Sequence, residues 1–415
     1  MNFKRVVITG LGIVSPVGLN TTTTWANIVA GVSGSDLITL FDTTNFKVKF
    51  ACEVKDFDPS NFFDRKEANK MDRFSQFALI ASDEAIINAN LDFDKFDRSR
   101  IGCVWASGIG GIKTITDEVK SYALSDKPRF SPFFIPKIIS DIAAGQISIK
   151  HQLMGPNYCT TAACASSANS IIDACHFIQL GISDVIITGG SEAPITEMGV
   201  GGFQSMRALS ENNEEYKTAS RPFCATRDGF VLAEGACALV LEEYEFAKKR
   251  GAPILAEITG YGLSADAYHL VAPHPEGIGA SLSMKNALAS ANISPEQIEY
   301  INVHGTSTPL GDVAELKAIS SIFGENAFNI NISSTKSILG HLLGAAGAIE
   351  LASCVLSLRD NIVPPTINHK QWDESIDPRF NLTLHEAQKR NLKYAMSNTF
   401  GFGGHNATII VSKID

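Results

Sequence analysis

Short apolar runs closed by glycine or small polar residues recur along the chain, alternating with longer stretches whose apolar positions fall three and four apart. The first run, Val6 to Thr9 in VVITGLG, predicts a buried strand. Thr9, Gly10, Gly12, Ser15 and Pro16 break what would otherwise resemble the apolar part of a secretory signal. Nowhere do 18 apolar residues run together, so no transmembrane helix is expected and the protein should be soluble. In TTAACASSANSIIDACHFI the spacing of Ile171, Ile172, Cys175, Phe177 and Ile178 predicts a buried helix starting directly after Cys164. Strands alternating with helices imply βαβ units, an α/β class and largely parallel central strands.

The chain also echoes itself. VVITGLG (6–12) returns as AEITGYG (256–262), and IGCVWASGIGG (101–111) is matched by IEYINVHGTST (298–308). NYCTTAACASSANSIIDACHFIQLG (157–181) and NISSTKSILGHLLGAAGAIELASCVLSL (331–358) both run from a strand through small residues into a long apolar helix. DVIITGGSEA and YAMSNTFGFGGHNATIIVS supply strands that end in glycine-rich loops. Two halves are therefore expected, 1–254 and 255–415, with the first enlarged between 20 and 140 by the polar segments FDTTNFKVKF, DFDPSNFFDRKEANKMDRF and SDKPRFSPFFIP. These segments read as a cap or dimerisation layer.

Composition narrows the function. With 415 residues, 45% hydrophobic and 19% charged, the chain fits a soluble globular protein large enough to bury a core. Against 44 acidic residues stand 35 basic ones, a net charge of −9 that argues against nucleic acid as a partner. The eight cysteines include no CxxC pair and no zinc-type Cys/His spacing, so no metal is expected and they read as reduced thiols of a cytoplasmic protein.

Cys164 is placed for chemistry. A helix start offers unpaired amides and a positive dipole end, both of which favour a thiolate. The small neighbours of Cys164 leave room for a substrate. In the second half, His304 closes a strand in VHGTSTPLGD, and Lys336 and His341 lie in STKSILGHLLGAAGAIE. If the halves are related by an approximate twofold, Cys164 and His341 sit near equivalent helix starts, and thiol and imidazoles converge on one site.

ACASS, HGTSTPLGD, STKSILGHLLGAAGAIE and SNTFGFGGHNA together resemble the four hallmark segments of the β-ketoacyl-[acyl-carrier-protein] synthases, most nearly the elongating type II enzymes. The resemblance covers nearly the whole chain. It implies a thiolase-like fold, a duplicated five-layer αβαβα with mixed, largely parallel central sheets, in a homodimer. It also implies an acyltransferase of fatty acid biosynthesis that needs no cofactor. An acyl group passes to Cys164, and malonyl-[acyl-carrier protein] then adds to it by decarboxylative Claisen condensation.

Position by position, the resemblance makes Cys164 the nucleophile and His304 and His341 the enolate-stabilising histidines. It pairs Lys336 with Glu350 and gives Phe400 the gate and, with Cys164, the oxyanion-hole amides. Gly401, Gly403 and Gly404 supply a mobile loop there, and because a strand follows them the loop is not a nucleotide fingerprint. Thr306 and Thr308 would hold the phosphopantetheine arm. Ile109, Phe203 and, from the partner subunit, Phe134 would line the acyl tunnel. Lys66, Lys70, Lys127, Arg129 and Arg207 would dock the acidic carrier protein.

Asn169, Val271 and His405 depart from the commonest pattern, and Val271 offers no hydroxyl. A specialised polyketide or aryl-polyene ketosynthase shares these motifs. A non-catalytic chain-length-factor-like subunit would be expected to lack the cysteine, and a thiolase would want a second catalytic cysteine where this chain has His341 or Phe400.

Overall fold

The structure, a computed structural model, describes residues 3–126 and 129–414. Among the described residues ten strands form one sheet: β1 (Val6–Val14), β2 (Ile101–Ala106), β3 (Asn157–Thr160), β4 (Val185–Glu192), β5 (Gly235–Glu243), β6 (Ala256–Ala265), β7 (Tyr300–Asn302), β8 (Asn331–Ser333), β9 (Tyr394–Gly401) and β10 (His405–Ser412). Their order is β8-β7-β9-β10-β6-β1-β5-β4-β2-β3. Read outward from the β1–β6 join, the two halves match strand for strand in order and in direction.

The expectation of largely parallel central strands is corrected. Parallel pairing holds only among the outer strands β4, β2 and β3 and their counterparts β9, β7 and β8, while the central strands pair antiparallel. A twofold axis normal to a sheet reverses strand direction, so the two copies must meet antiparallel at the join.

Helices α1 (Arg73–Asn88) and α2 (Ile142–His151) cover the first half on its outer side, and α4 (Ile278–Ala291) and α5 (Pro309–Phe323) cover the second. Between the halves, α3 (Ser166–Gln179) and α6 (Ala346–Asp360) pack on each other. The apolar core divides the same way. One cluster surrounds α3 and α6, a second lies under α1 and α2, and a third lies under α4 and α5. This is the duplicated five-layer thiolase-like arrangement. As predicted, α3 buries Ile171, Ile172, Cys175 and Ile178, whereas Phe177 is only half-buried, edge-on to Tyr158.

The ITGxG echo has a physical origin. The ladder shifts register between Ile8 and Gly10, and again opposite Thr259, so each threonine sits at a bulge. The bulge moves the inward alternation from Val6 and Ile8 to Leu11 and Ile13. It also turns two glycines onto a helix. A Cβ at Gly10 or Gly12 would come within 2.1 or 1.9 Å of the carbonyl oxygens of Ala85 and Ala81 on α1. At Gly260 and Gly262 it would meet those of Ala287 and Ser283 on α4 at 2.5 and 2.1 Å.

The first half is enlarged where expected. Residues 15–72 join β1 to α1 and 107–141 join β2 to α2, against 266–277 and 303–308 at the equivalent places. Asp72 ties these insertions together, capping α1 at Phe74 and accepting from the amide and hydroxyl of Thr114 at 2.8 and 2.6 Å. Among the described residues no helix is long and apolar enough to cross a membrane.

Candidate active site

Cys164 lies in the link between β3 and α3, one residue after Ala163, whose φ of 48° is left-handed. An alanine pays strain there. The Ser166 hydroxyl holds the turn, accepting from the Ala162 amide at 2.8 Å and donating to the Ala163 carbonyl at 2.6 Å. The equivalent turn before α6 places Leu343 at the same φ of 48°, so His341 does arrive near the matching helix start. Strand β9 ends against this turn. A Cβ on Gly401 would lie 3.0 Å from the Cys164 nitrogen, a gap that only glycine leaves open.

His341 Nε2 is 3.1 Å from the Cys164 sulfur. The backbone of His341 is clamped by Val231 and Ala233, and its ring stands edge-on to Phe230 and to His304, with centroids 5.2 and 5.4 Å apart. His304 follows β7, and Glu315 on α5 accepts from the amides of His304 and Gly305 at 2.9 Å each. Behind it, Lys336 stands 3.4 Å from His304 Nδ1 and forms a buried ion pair with Glu350. An ammonium offers only donors, so Nδ1 accepts and the His304 proton sits on Nε2.

Burial sets the electrostatics. Desolvation pushes the Cys164 thiol up to about 11, against the pull of the Lys336 charge and of the Phe402 amide. The thiolate expected from the helix start is therefore not favoured, because burial outweighs the Lys336 charge and the Phe402 amide. Both histidines are held well below the usual imidazole range, first by burial and then by Lys336, so both are neutral at pH 7. Burial also pushes Glu350 and Glu315 up to about 7.

A cavity of about 550 Å³ opens onto these groups, with Cys164, His304, His341, Ile109, Phe203 and Phe400 in its wall. Thr306 and Thr308 line it too, their hydroxyls 3.0 Å apart. Thr308 has a second task, capping α5 through the Gly311 amide ahead of Pro309. Phe134 is not in this wall; it begins a short helix and stacks on Phe130. Lys66, Lys70, Arg129 and Arg207 are exposed, Arg207 at the cavity mouth, and Lys127 lies outside the described residues. Of the departures, Val271 also lines the cavity, His405 is exposed, and Asn169 donates to the Ala165 carbonyl at 2.9 Å.

The placement of Phe400 differs from the sequence expectation. It belongs to β9, opposite Asn406, with its ring 5.8 Å from His304. The amide that faces the Cys164 sulfur belongs to Phe402, two residues on and beyond the end of the strand. NTFGFGG contains both phenylalanines, and where the strand stops decides between them. Glu315 and Phe230 were also missed. A strand-matched acid in α5 and the phenylalanine of RDGF were the available signals.

Comparison with known proteins agrees with this geometry. Residues 3–247 match the family described as beta-ketoacyl synthase, N-terminal domain, and 255–370 match beta-ketoacyl synthase, C-terminal domain. A 3-oxoacyl-[acyl-carrier-protein] synthase 2 of Staphylococcus aureus (strain COL) is 49% identical over 99% of both chains. The solved ishigamide ketosynthase/chain length factor superposes with a TM-score of 0.93 at 30% identity, covering 100% of each chain. A type II PKS ketosynthase, in complex with its acyl-carrier protein and bound to the hexaketide, superposes with a TM-score of 0.91 at 32% identity, covering 99% of this chain and 100% of that one.

Proposed function

The chain belongs to the beta-ketoacyl synthase family of condensing acyltransferases, and on that premise we propose how its residues divide the reaction. The 3.1 Å contact between Cys164 and His341 carries the reading. His341 Nε2 takes the thiol proton as the sulfur attacks the thioester of an acyl-carrier protein, which removes the need for a preformed thiolate. The amides of Cys164 and Phe402 receive the charge that develops on the carbonyl oxygen, and His341 returns the proton to the carrier's pantetheine sulfur, which leaves as the thiol.

Malonyl-carrier protein then enters. Loss of carbon dioxide leaves an enolate, whose oxygen is held by the Nε2–H of His304 and by His341 once its single ring proton has moved from Nδ1 to Nε2, while the enolate carbon attacks the acyl thioester. Cys164 leaves as thiolate and the product is a 3-oxoacyl-carrier protein. Lys336, itself balanced by Glu350, keeps His304 in the required tautomer.

Thr306 and Thr308 bind the pantetheine arm, and Ile109 and Phe203 shape the acyl pocket. Lys66, Lys70, Lys127, Arg129 and Arg207 meet the acidic carrier. A homodimer fits the exposed apolar side chains of Phe133, Ile135, Ile139 and Tyr158, and would bring Phe134 to the partner's pocket. The division into units at 254/255 falls between the two family matches, and a cytoplasmic setting fits eight free thiols. A specialised polyketide or polyene role is the second reading, favoured by Val271 in the cavity wall, where a hydroxyl contact is lost.

Intact-mass analysis tests the proposal. Incubation with acyl-carrier protein should add one acyl group to the enzyme. Malonyl-carrier protein should then remove it as a product two carbons longer. No adduct on the wild type would overturn the reading.

A further inference from the structure

We infer that Glu192 is a positioning residue that sets acyl-length selectivity by holding the Ile109 turn against the segment that follows His341. The inference rests on the proposed acyl transfer to Cys164. Glu192 ends β4 and is fully buried, and neither reaction step uses it. Its Oε1 accepts from the Gly108 amide and, at 3.4 Å, from the Ser107 hydroxyl. That hydroxyl in turn accepts from the Gly110 amide at 2.9 Å, and the Ile109 amide also faces the carboxyl. The backbone on both sides of Ile109 is thus tied to one side chain.

On its other side the carboxyl faces the amide of Gly344, which follows His341 by three residues. A Cβ at Gly344 would lie 2.6 Å from Glu192 Oε1 and 2.5 Å from the Gly108 nitrogen. At Gly108 it would lie 3.0 Å from Oε1. Two glycines therefore close around the carboxyl, which spaces the wall bearing Ile109 from the wall bearing His341. Ile109 is a β-branched residue with few rotamers, so the position of its backbone decides how far its side chain enters the cavity.

The second oxygen, Oε2, has no hydrogen-bond partner among the described residues. Burial pushes the group up to about 8, which keeps it a neutral acid at pH 7. The titratable groups that face it are the thiols of Cys164 and Cys159, and a charge on Glu192 would oppose a thiolate at either. Glutamine has the same shape, offers one acceptor oxygen and carries no charge, so it should replace the protonated acid.

The test measures Cys164 acylation by hexanoyl- and dodecanoyl-carrier protein in the wild type and in Glu192→Gln, Glu192→Ala and Ser107→Ala. Glu192→Gln should keep the ratio of long to short donor. Glu192→Ala and Ser107→Ala should shift it about tenfold toward the long donor, the worth of about two buried methylenes, with the hexanoyl rate little changed. A loss shared equally by both donors would mean a merely structural role and overturn the inference. An unchanged ratio in Ser107→Ala would overturn it even if Glu192→Ala fails to fold. Wild type that accepts neither acyl group would overturn the acyl-transfer reading itself, and this inference with it.

Discussion

The ammonium of Lys336 stands 3.4 Å from Nδ1 of His304. That contact fixes which nitrogen carries the proton, and the same charge, added to burial, holds His304 and His341 below the usual imidazole range. Neither ring should gain a proton between pH 6 and 8, since a histidine with a lowered pKa charges only as pH falls well below 6.5.

His304→Ala should therefore lose malonyl decarboxylation by about 10²–10³ while still accepting an acyl group on Cys164. His341 touches the sulfur, so His304 is the cleaner test. Release of carbon dioxide and acyl loading, measured separately, check this. Equal loss of both half-reactions in His304→Ala would assign the ring a structural part.

Alkylation of Cys164 by iodoacetamide should climb about tenfold per pH unit between pH 7 and 9, because a thiol held near 11 exposes little thiolate below that. Peptide mapping should find an acyl label on Cys164. A plateau by pH 8, or label on Cys159, would contradict the assignment.

Ile109→Phe should fill the cavity beside Cys164 and block long donors while short ones still load. The effect should grow with acyl length, since each buried methylene is worth about 0.8 kcal/mol. Competition between short and long acyl donors reads the profile, and an unchanged profile would place the acyl chain elsewhere.

Reversing charge at Lys70 and Arg207, both exposed, should raise the KM for carrier-bound substrate several-fold and weaken its salt dependence. Free pantetheine thioesters should be spared. If they suffer equally, the residues do not dock the carrier.

Gly12→Ala and Gly262→Ala should each destabilise the fold by about 1–3 kcal/mol, since each Cβ would press on a helix carbonyl, of Ala81 or Ser283. Denaturant unfolding checks this. A neutral result at either position would show that strand and helix can separate there without cost.

The duplication was legible because its cause is local. Thr9 and Thr259 mark a bulge, and the glycines that follow mark a close helix, so the same backbone problem has the same solution twice in the sequence. Cys164, His304 and His341 were legible because each sits in a long motif of small residues, and Lys336 and Glu350 because they accompany such a motif. Ile109 and Phe203 were found by the same route and do line the cavity.

What the sequence alone did not decide depends on long-range placement. The halves meet antiparallel at β1 and β6 because of the axis between them, and no single strand records that axis. Phe402 rather than Phe400 faces the sulfur because β9 ends at Gly401. The Cys164 thiol is pushed up because the layers around it exclude water, an effect larger than the pull of Lys336 and of the Phe402 amide. Glu192 reads in sequence as one more acid after a strand. Only its burial between segments far apart in the chain, with Gly108 and Gly344 closing on its carboxyl, pushes it up to about 8, against the pull of their amides.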